Sequence, residues 1–246
     1  MPRYLIPFAL ACLMSLALPV ARAAAPEAVS LKAADGLVLK ADWVRSDKPA
    51  SRAVLLLHMM GGNRGGWAPL VPRLTAAGFN VLAVDQRGFG ETGGERNWLL
   101  AATDAVAWMQ WLRQQAGIDE AQVAAAGASI GGSTALLACA LDTQCATVVS
   151  LSAPGNFSSV LPEGKTIPAL LESYDGRSAY LAAGRFDRIF ANGALDYARL
   201  LKGEVQLHIY DTSAHGTVML SHEDTPGLAD EVLRWLDSHV GAAPRD

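Results

Sequence analysis

The chain has 246 residues, of which 51% are hydrophobic and 18% are charged. This length suits one domain with a sizeable core, and two domains would need a linker that the sequence does not show. The formal net charge is −4, with acidic and basic residues interspersed. Neither a polyanion-binding face nor an acidic tail can be identified, so nucleic acid is not an expected partner.

The N-terminal residues have the pattern of a secretory signal. Arg3 precedes a long apolar run, and the A-R-A sequence that ends at Ala23 has the small-x-small form of a signal peptidase site. We therefore expect residues 1–23 to be a signal peptide and residues 24–246 to form a single domain, secreted or periplasmic. A membrane anchor is the alternative, but two prolines interrupt the run, so we expect no stable anchor after cleavage.

The mature chain alternates apolar runs with helical patterns. A hairpin is expected over 28–46, followed by strands over 53–60, 80–86, 123–129, 147–153, 179–184 and 205–211. Crossover helices are expected over 67–78, near 103–117, and over 131–142 and 193–203, and a last helix after a Thr225 N-cap. This repetition predicts an α/β fold: a mostly parallel central sheet of about eight strands with helices on both faces.

Two features of the chain carry open alternatives. Cys139 and Cys145 form an even pair in a chain expected to be exported, so they can form a structural disulfide or remain two buried apolar side chains. Residues 154–178 are the longest stretch without a clear element, and we interpret them as a small lid or substrate-facing insertion.

The sequence GASIG at 127–131 fits G-x-S-x-G between a predicted strand and a predicted helix. Ser129 in this context is either a nucleophile held in a strained turn or a helix N-cap. Small neighbours two positions on either side allow the strand and helix to approach closely. The N-terminus of the following helix favours the negative charge that develops on an attacked carbonyl oxygen.

A serine nucleophile needs a base and an acid that orients the base. Among five histidines, His215 follows the last predicted strand in a loop, at the edge where α/β sheets build their sites. Asp187 follows the preceding strand and reaches the same edge, although a helix cap remains its alternative role. Asp175 would emerge at the opposite edge, and Asp211 is close enough to His215 to shape their shared turn.

With these residues and the segments LLLHMMGGNRGGW, VDQRGFGETGG, GRFD and SAHG, the chain resembles the α/β-hydrolase superfamily, especially its secreted esterase and dienelactone-hydrolase-like members. The resemblance implies that the backbone amides of Met60 and Ile130 form an oxyanion hole. It also implies structural roles for His58 and for the D-x-R-G-x-G turn that begins at Asp85. One departure is Met59, because family members usually have glycine directly after this histidine.

Other cofactor signals are weaker. Residues 88–93 fit G-x-G-x-x-G after a strand, but the expected helix does not follow at once, and Arg113 stands where a dinucleotide site needs an acid. No zinc-ligand spacing occurs in the sequence. We therefore expect no cofactor and no metal.

These features predict a serine hydrolase that cleaves carboxylic esters through an acyl-enzyme on Ser129. Peptide or amide hydrolysis, and acyl transfer, are alternatives because the same catalytic residues serve them. A non-catalytic binding protein with this fold is a further alternative. The expected partner is a small-molecule ester, and the sequence does not indicate an oligomeric state.

Overall fold

The computed structural model describes residues 25–46, 48–155, 169, 171–174 and 176–241. The predicted signal peptide over 1–23 therefore lies outside the described residues. The same holds for most of the predicted lid over 154–178, since residues 156–168 are among those not described.

A single sheet organises the described chain. Its strands are β1 (Glu27–Lys32), β2 (Val38–Val44), β3 (Arg52–Leu57), β4 (Phe79–Asp85), β5 (Val123–Ala128), β6 (Thr147–Leu151), β7 (Ser178–Gly184) and β8 (Val205–Tyr210). Their order in the sheet is β1-β2-β4-β3-β5-β6-β7-β8, antiparallel from β1 to β4 across β2 and parallel elsewhere. The predicted eight-stranded, mostly parallel sheet is confirmed.

Helices cover both faces of this sheet. They are α1 (Val71–Ala76), α2 (Trp98–Arg113), α3 (Ile130–Leu141), α4 (Arg188–Leu200) and α5 (Leu228–His239), with 3-10 helices over Arg64–Trp67, Glu120–Gln122 and Gly216–Ser221. On one face Leu55 and Leu57 of β3 pack in a core with α2 and α3, and on the other Leu56 packs in a core with α1 and α5. Because successive side chains of a strand enter the two cores alternately, the central strands are continuous apolar runs in the sequence.

Two helices begin earlier than their sequence patterns predict. Helix α2 starts at Trp98 rather than near residue 103, because the side chain of Asn97 accepts a hydrogen bond from the Leu100 amide and caps it. Helix α4 starts at Arg188 rather than at Gly193, which lies inside the helix. A Cβ at Gly193 would lie 2.2 Å from the carbonyl oxygen of Ala153, so this glycine permits a close contact and does not end the helix.

The last helix begins later than predicted. Gly227 has a φ of 83°, which interrupts helical geometry, and α5 starts at Leu228. Thr225 is not its N-cap, because the Thr225 hydroxyl instead donates to the carbonyl oxygens of Met219 and His222. The prediction of a helix in this region is correct, but the capping residue is wrong.

Cys139 of α3 is disulfide-bonded to Cys145, with a Cα to Cα distance of 5.2 Å. Of the two alternatives for this cysteine pair, the structure has the bonded one. Among the helices that the structure describes, none combines the length and apolar character needed to traverse a lipid bilayer.

Candidate active site

Ser129 occupies the turn between β5 and α3 in an unusual backbone conformation. Its φ is 54° and its ψ is −123°, a region that non-glycine residues seldom adopt. The Ser129 amide donates to the carbonyl oxygen of Leu151 in the neighbouring strand at 2.7 Å. Although Ser129 stands at the N-cap position of α3, its side chain makes no capping hydrogen bond. The Ser129 hydroxyl therefore does not cap the helix, although the residue occupies the capping position.

Glycines around Ser129 allow backbone to touch backbone. A Cβ at Gly127 would lie 2.0 Å from the carbonyl oxygen of Gly131. A Cβ at Gly131 would lie 2.3 Å from the carbonyl oxygen of Leu57 and 2.5 Å from that of His58. The sharp strand-to-helix turn thus requires glycine at both positions, and it brings the first turn of α3 against the loop that follows β3.

Asp187 and His215 meet at the same sheet edge, as predicted from their positions after β7 and β8. His215 Nδ1 lies 2.6 Å from Asp187 Oδ2, and the two side chains are 30% and 16% exposed. Asp187 is at the N-cap position of α4 but makes no capping hydrogen bond, so its carboxylate serves the imidazole and not the helix. The Phe190 ring lies against the His215 ring, with centroids 4.1 Å apart.

The proton on the His215 ring can be assigned from this hydrogen bond. An ionised carboxylate only accepts, so Nδ1 of the neutral ring carries the proton and Nε2 has its lone pair available. Gly216 lies next to the strand that leads to Ser129, because a Cβ at Gly216 would be 3.5 Å from the Cβ of Ala128. Ser129 and His215 are therefore near each other through their chain neighbours. The Ser129 hydroxyl is not hydrogen-bonded to the ring, whose hydrogen bond within the described chain goes to Asp187.

The loop after β3 is held by the ring of His58. His58 Nδ1 donates to the Met59 carbonyl at 2.8 Å, and its Nε2 accepts from the Gln86 amide at 3.1 Å. Gln86 also donates from its side chain to the His58 carbonyl at 2.6 Å. His58 is 1% exposed, and burial lowers the pKa of its imidazole, opposed by the Met59 hydrogen bond and by the charge of Asp85. The predicted structural role of His58 fits these contacts.

These contacts fix the direction of the Met60 amide. The Met59 carbonyl accepts from His58 Nδ1 and from the Gly62 amide at 3.0 Å. In a trans peptide the N–H points opposite to the C=O, so the Met60 N–H faces away from His58. The Ile130 amide is the first of α3 and has no acceptor within its helix. Both predicted oxyanion donors thus belong to segments that meet at Gly131.

Met59 does not disrupt the loop by replacing the usual glycine. Its side chain packs under the loop that carries the histidine: the Met59 sulfur would lie 2.9 Å from a Cβ at Gly216, and the Thr217 hydroxyl contacts it at 3.8 Å. The sequence pattern contained no signal for this contact, nor for the part that the Gln86 side chain plays beside His58.

The turn after β4 is structural. Asp85 binds the Arg64 side chain and accepts from the Arg64 amide at 2.8 Å, and a Cβ at Gly90 would lie 2.2 Å from the Asp85 carboxyl carbon. Arg87 binds Asp104 through two hydrogen bonds of 2.6 and 2.8 Å. The carboxylate of Asp85, paired with Arg64, fills the inside of the glycine-rich turn and accepts from the Glu91 amide at 2.8 Å.

Ionisable side chains do not cluster for metal binding in the parts of the chain that the structure describes. No group of three or more His, Cys, Asp or Glu residues there could hold a metal ion. The acidic and imidazole groups at the sheet edge are instead paired with each other, as Asp187 and His215 are.

Known proteins resemble this chain in sequence and in fold. A family model described as the alpha/beta hydrolase fold matches residues 52–177. An uncharacterized 31.7 kDa protein of Escherichia coli, from the traX-finO intergenic region, is 34% identical over 101 residues, 39% of this chain and 35% of that protein. The matched part of the chain thus spans about a third of that relative's length.

Among solved structures, the esterase Pf2001 of Pyrococcus furiosus superposes with a TM-score of 0.72 at 20% identity, over 88% of this chain and 91% of that one. A dienelactone hydrolase of Anabaena variabilis superposes with a TM-score of 0.69 at 23% identity, over 87% and 96%. At these identities the likeness concerns the fold. Since the strand order, the serine turn and the family match agree, the chain belongs to the α/β-hydrolase fold family.

Proposed function

We propose that the protein is a serine hydrolase that cleaves small carboxylic esters through an acyl-enzyme on Ser129. The observation that carries this proposal is the 2.6 Å hydrogen bond between Asp187 and His215 Nδ1, at the sheet edge where Ser129 follows β5. That hydrogen bond leaves His215 Nε2 as the proton acceptor that a serine nucleophile requires.

The reaction follows from these positions. His215 Nε2 takes the proton of the Ser129 hydroxyl as the serine oxygen attacks the carbonyl carbon of the ester. The electron pair of the C=O double bond moves to the carbonyl oxygen. The amides of Met60 and Ile130 would hold this oxyanion. On collapse, the C–O bond to the alcohol breaks and the alcohol takes the proton from His215. Water then attacks the acyl carbon while His215 takes a proton from the water. The bond from that carbon to the Ser129 oxygen breaks, Ser129 receives the proton from His215 and the acid leaves, while Asp187 keeps the ring in one tautomer.

An ester with apolar groups suits the surroundings of the site. Met60 in the loop after β3 is 52% exposed, Phe186 and Ile189 beside Asp187 are 62% and 72% exposed, and Val218 after His215 is 48% exposed. Exposed apolar side chains of this size are typical of binding surfaces when they lie together. The esterase and the dienelactone hydrolase among the structural neighbours support an ester as the substrate.

One observation favours a second candidate, a binding protein that does not catalyse. The Ser129 hydroxyl is not hydrogen-bonded to His215, and a serine without this contact is a poor nucleophile. Catalytic hydrogen bonds are often long in unliganded enzymes and tighten with substrate, so we retain hydrolysis as the proposal. Amide hydrolysis and acyl transfer use the same three side chains and differ in the substrate or acceptor.

The test uses the purified protein with p-nitrophenyl acetate and a fluorophosphonate that labels activated serines. We expect Ser129→Ala to lose at least about 1,000-fold in kcat/KM and all labelling, with little change in thermal unfolding. Ser178→Ala is the matched control, because its hydroxyl bonds Thr147 at the opposite edge of the sheet. Hydrolysis or labelling retained by folded Ser129→Ala would sink the proposal. A folded wild type that neither hydrolyses the ester nor is labelled would favour the non-catalytic binding protein. A parallel panel of anilides separates ester from amide preference.

We also propose that the protein acts in an oxidising compartment, secreted or periplasmic. Disulfides persist in such compartments and are rare in the cytosol, and the bond between Cys139 and Cys145 supports this location. Mass spectrometry of the protein from its native host would show whether the chain is cleaved near Ala23.

A further inference from the structure

Ser152 directly follows β6 and has an unusual conformation. Its φ is 50°, and among the described non-glycine residues only Ser129 shares a positive value. Ser152 is 0% exposed. A buried non-glycine residue in such a strained conformation persists only where its surroundings impose it. Strain of this kind concentrates at functional sites, which directs attention to the contacts of Ser152.

The amide and the hydroxyl of Ser152 form hydrogen bonds with two different segments of the chain. Its amide donates to the Ala182 carbonyl of β7 at 2.7 Å. Its hydroxyl oxygen accepts from the Gly216 amide at 3.0 Å, and its O–H group donates to the sulfur of Met219 at 3.2 Å. The hydroxyl therefore uses its single proton and one lone pair on the loop that carries His215.

Gly216 is enclosed at this point. Its φ is 58°, and a Cβ there would lie 2.9 Å from the sulfur of Met59. The Ser152 hydroxyl holds the Gly216 amide while Met59 fills the space beside its Cα. Because the Gly216 amide belongs to the peptide that begins at His215, this hydrogen bond fixes the backbone from which the imidazole extends.

We propose that Ser152 is a positioning residue for His215: its buried hydroxyl anchors the His215–Gly216 peptide so that the imidazole bonded to Asp187 stays aimed at Ser129. This inference rests on the proposed serine hydrolase function. The strained φ of Ser152 is the conformation in which its amide reaches Ala182 while its hydroxyl reaches Gly216. The role is positional, since Ser152 is fully buried and would not touch the substrate.

The test compares two substitutions of Ser152. Ser152→Ala removes the hydroxyl and keeps the strained backbone, whereas Ser152→Gly removes the hydroxyl and relieves the strain, so it folds even if the first does not. Ser150→Ala is the matched control, because Ser150 lies two residues earlier in β6, is also buried, and has a hydroxyl with no hydrogen-bond partner among the described residues. Thermal unfolding establishes which variants are folded.

We expect the folded Ser152 variants to lose kcat for p-nitrophenyl acetate on the order of 10- to 100-fold with KM unchanged, since misplaced catalytic groups slow the chemical step. The rate of fluorophosphonate labelling should fall in parallel, and Ser150→Ala should match the wild type. Folded Ser152→Gly with wild-type kcat and labelling rate would overturn the proposal.

A second readout separates this inference from the proposed function. The low-field proton resonance of His215 Nδ1, assigned with His215→Gln, reports the hydrogen bond to Asp187 whether or not the protein hydrolyses esters. Broadening or loss of this resonance in Ser152→Gly supports the positioning role, and an unchanged resonance contradicts it. A wild type that neither hydrolyses nor labels refutes the hydrolase proposal, and the resonance then decides the role of Ser152.

Discussion

Ser129 and Ser152 both leave a buried parallel strand at the same sheet edge, and both do so with a positive φ. Neither is a glycine, so each conformation is maintained by hydrogen bonds from neighbouring strands: Leu151 holds the first amide and Ala182 holds the second. Two strained residues that follow adjacent strands show that backbone strain is concentrated at this edge of the sheet.

His58 is a residue whose titration should affect stability. Burial lowers the pKa of its imidazole, and Nε2 must stay unprotonated to accept from the Gln86 amide. In the unfolded chain the His58 imidazole has its ordinary pKa of 6.5, whereas in the folded chain its pKa is lower because the ring is buried. The contribution of neutral His58 to the free energy of unfolding is therefore present above about pH 6.5. It is lost as the pH falls, at up to about 1.4 kcal/mol per pH unit.

We expect urea unfolding between pH 7.5 and pH 5 to show a steeper loss of stability for the wild type than for His58→Asn. Asparagine can still donate to the Met59 carbonyl but does not titrate. Because carboxylates titrate equally in both proteins, the difference between the two curves isolates His58. Parallel curves across this range would contradict the assignment.

At the scale of elements, helix α3 is built from small residues where it meets other backbone. Gly131 lies where the first turn of α3 contacts the end of β3 and the loop after it. The atoms that a Cβ at Gly131 would meet are main-chain atoms. Main-chain atoms cannot rotate away as a side chain can. The turn and the loop that hold the two predicted oxyanion donors are therefore packed as one unit.

Gly131→Ala should destabilise the fold by about 1–3 kcal/mol through overpacking and reduce ester hydrolysis further than the loss of folded protein explains. Gly66→Ala is the control, because its added Cβ would lie 3.5 Å from the nearest atom, an ordinary contact. Chemical unfolding and kcat/KM measure the two effects. If Gly131→Ala matches Gly66→Ala in both stability and kcat/KM, the inference that this turn is closely packed is wrong.

The elements themselves were predictable to different degrees. The strands were predicted well because their apolar runs enter two cores, but Gly193 was misread as a helix boundary because its role depends on Ala153, a residue distant in sequence. Ser129, Asp187 and His215 could be selected because each lies within a few residues of the end of a strand. Ser152 and Gln86 could not, since hydroxyl and amide side chains in these places acquire a role only through contacts with other loops.

At the scale of the whole molecule, the disulfide lies remote from the chemistry. Cys139 is ten residues beyond Ser129 along α3, about 15 Å along the helix axis at 1.5 Å per residue. Its bond to Cys145 ties the far end of α3 to the segment that leads into β6. The bond is thus placed to stabilise the fold and not to take part in the reaction.

Replacing both cysteines with serine should lower the free energy of unfolding by about 2 kcal/mol, the entropy of closing so short a loop. Ester hydrolysis by the folded double variant should equal that of the wild type. Thermal unfolding and initial rates measure both, and wild type treated with reductant should reproduce the shift. Unchanged stability, or activity lost while the fold is intact, would contradict this assignment.

The carbonyl of Met59 accepts from the His58 ring and from the Gly62 amide. The peptide that joins Met59 to Met60 cannot turn over without breaking both hydrogen bonds, one of them to the buried ring of His58. The dipole of this peptide is thus oriented before any substrate binds. The free energy needed to orient it is supplied when the protein folds. An oxyanion that formed beside Met60 would meet a preorganised donor, and none of its stabilisation would be spent on turning the peptide.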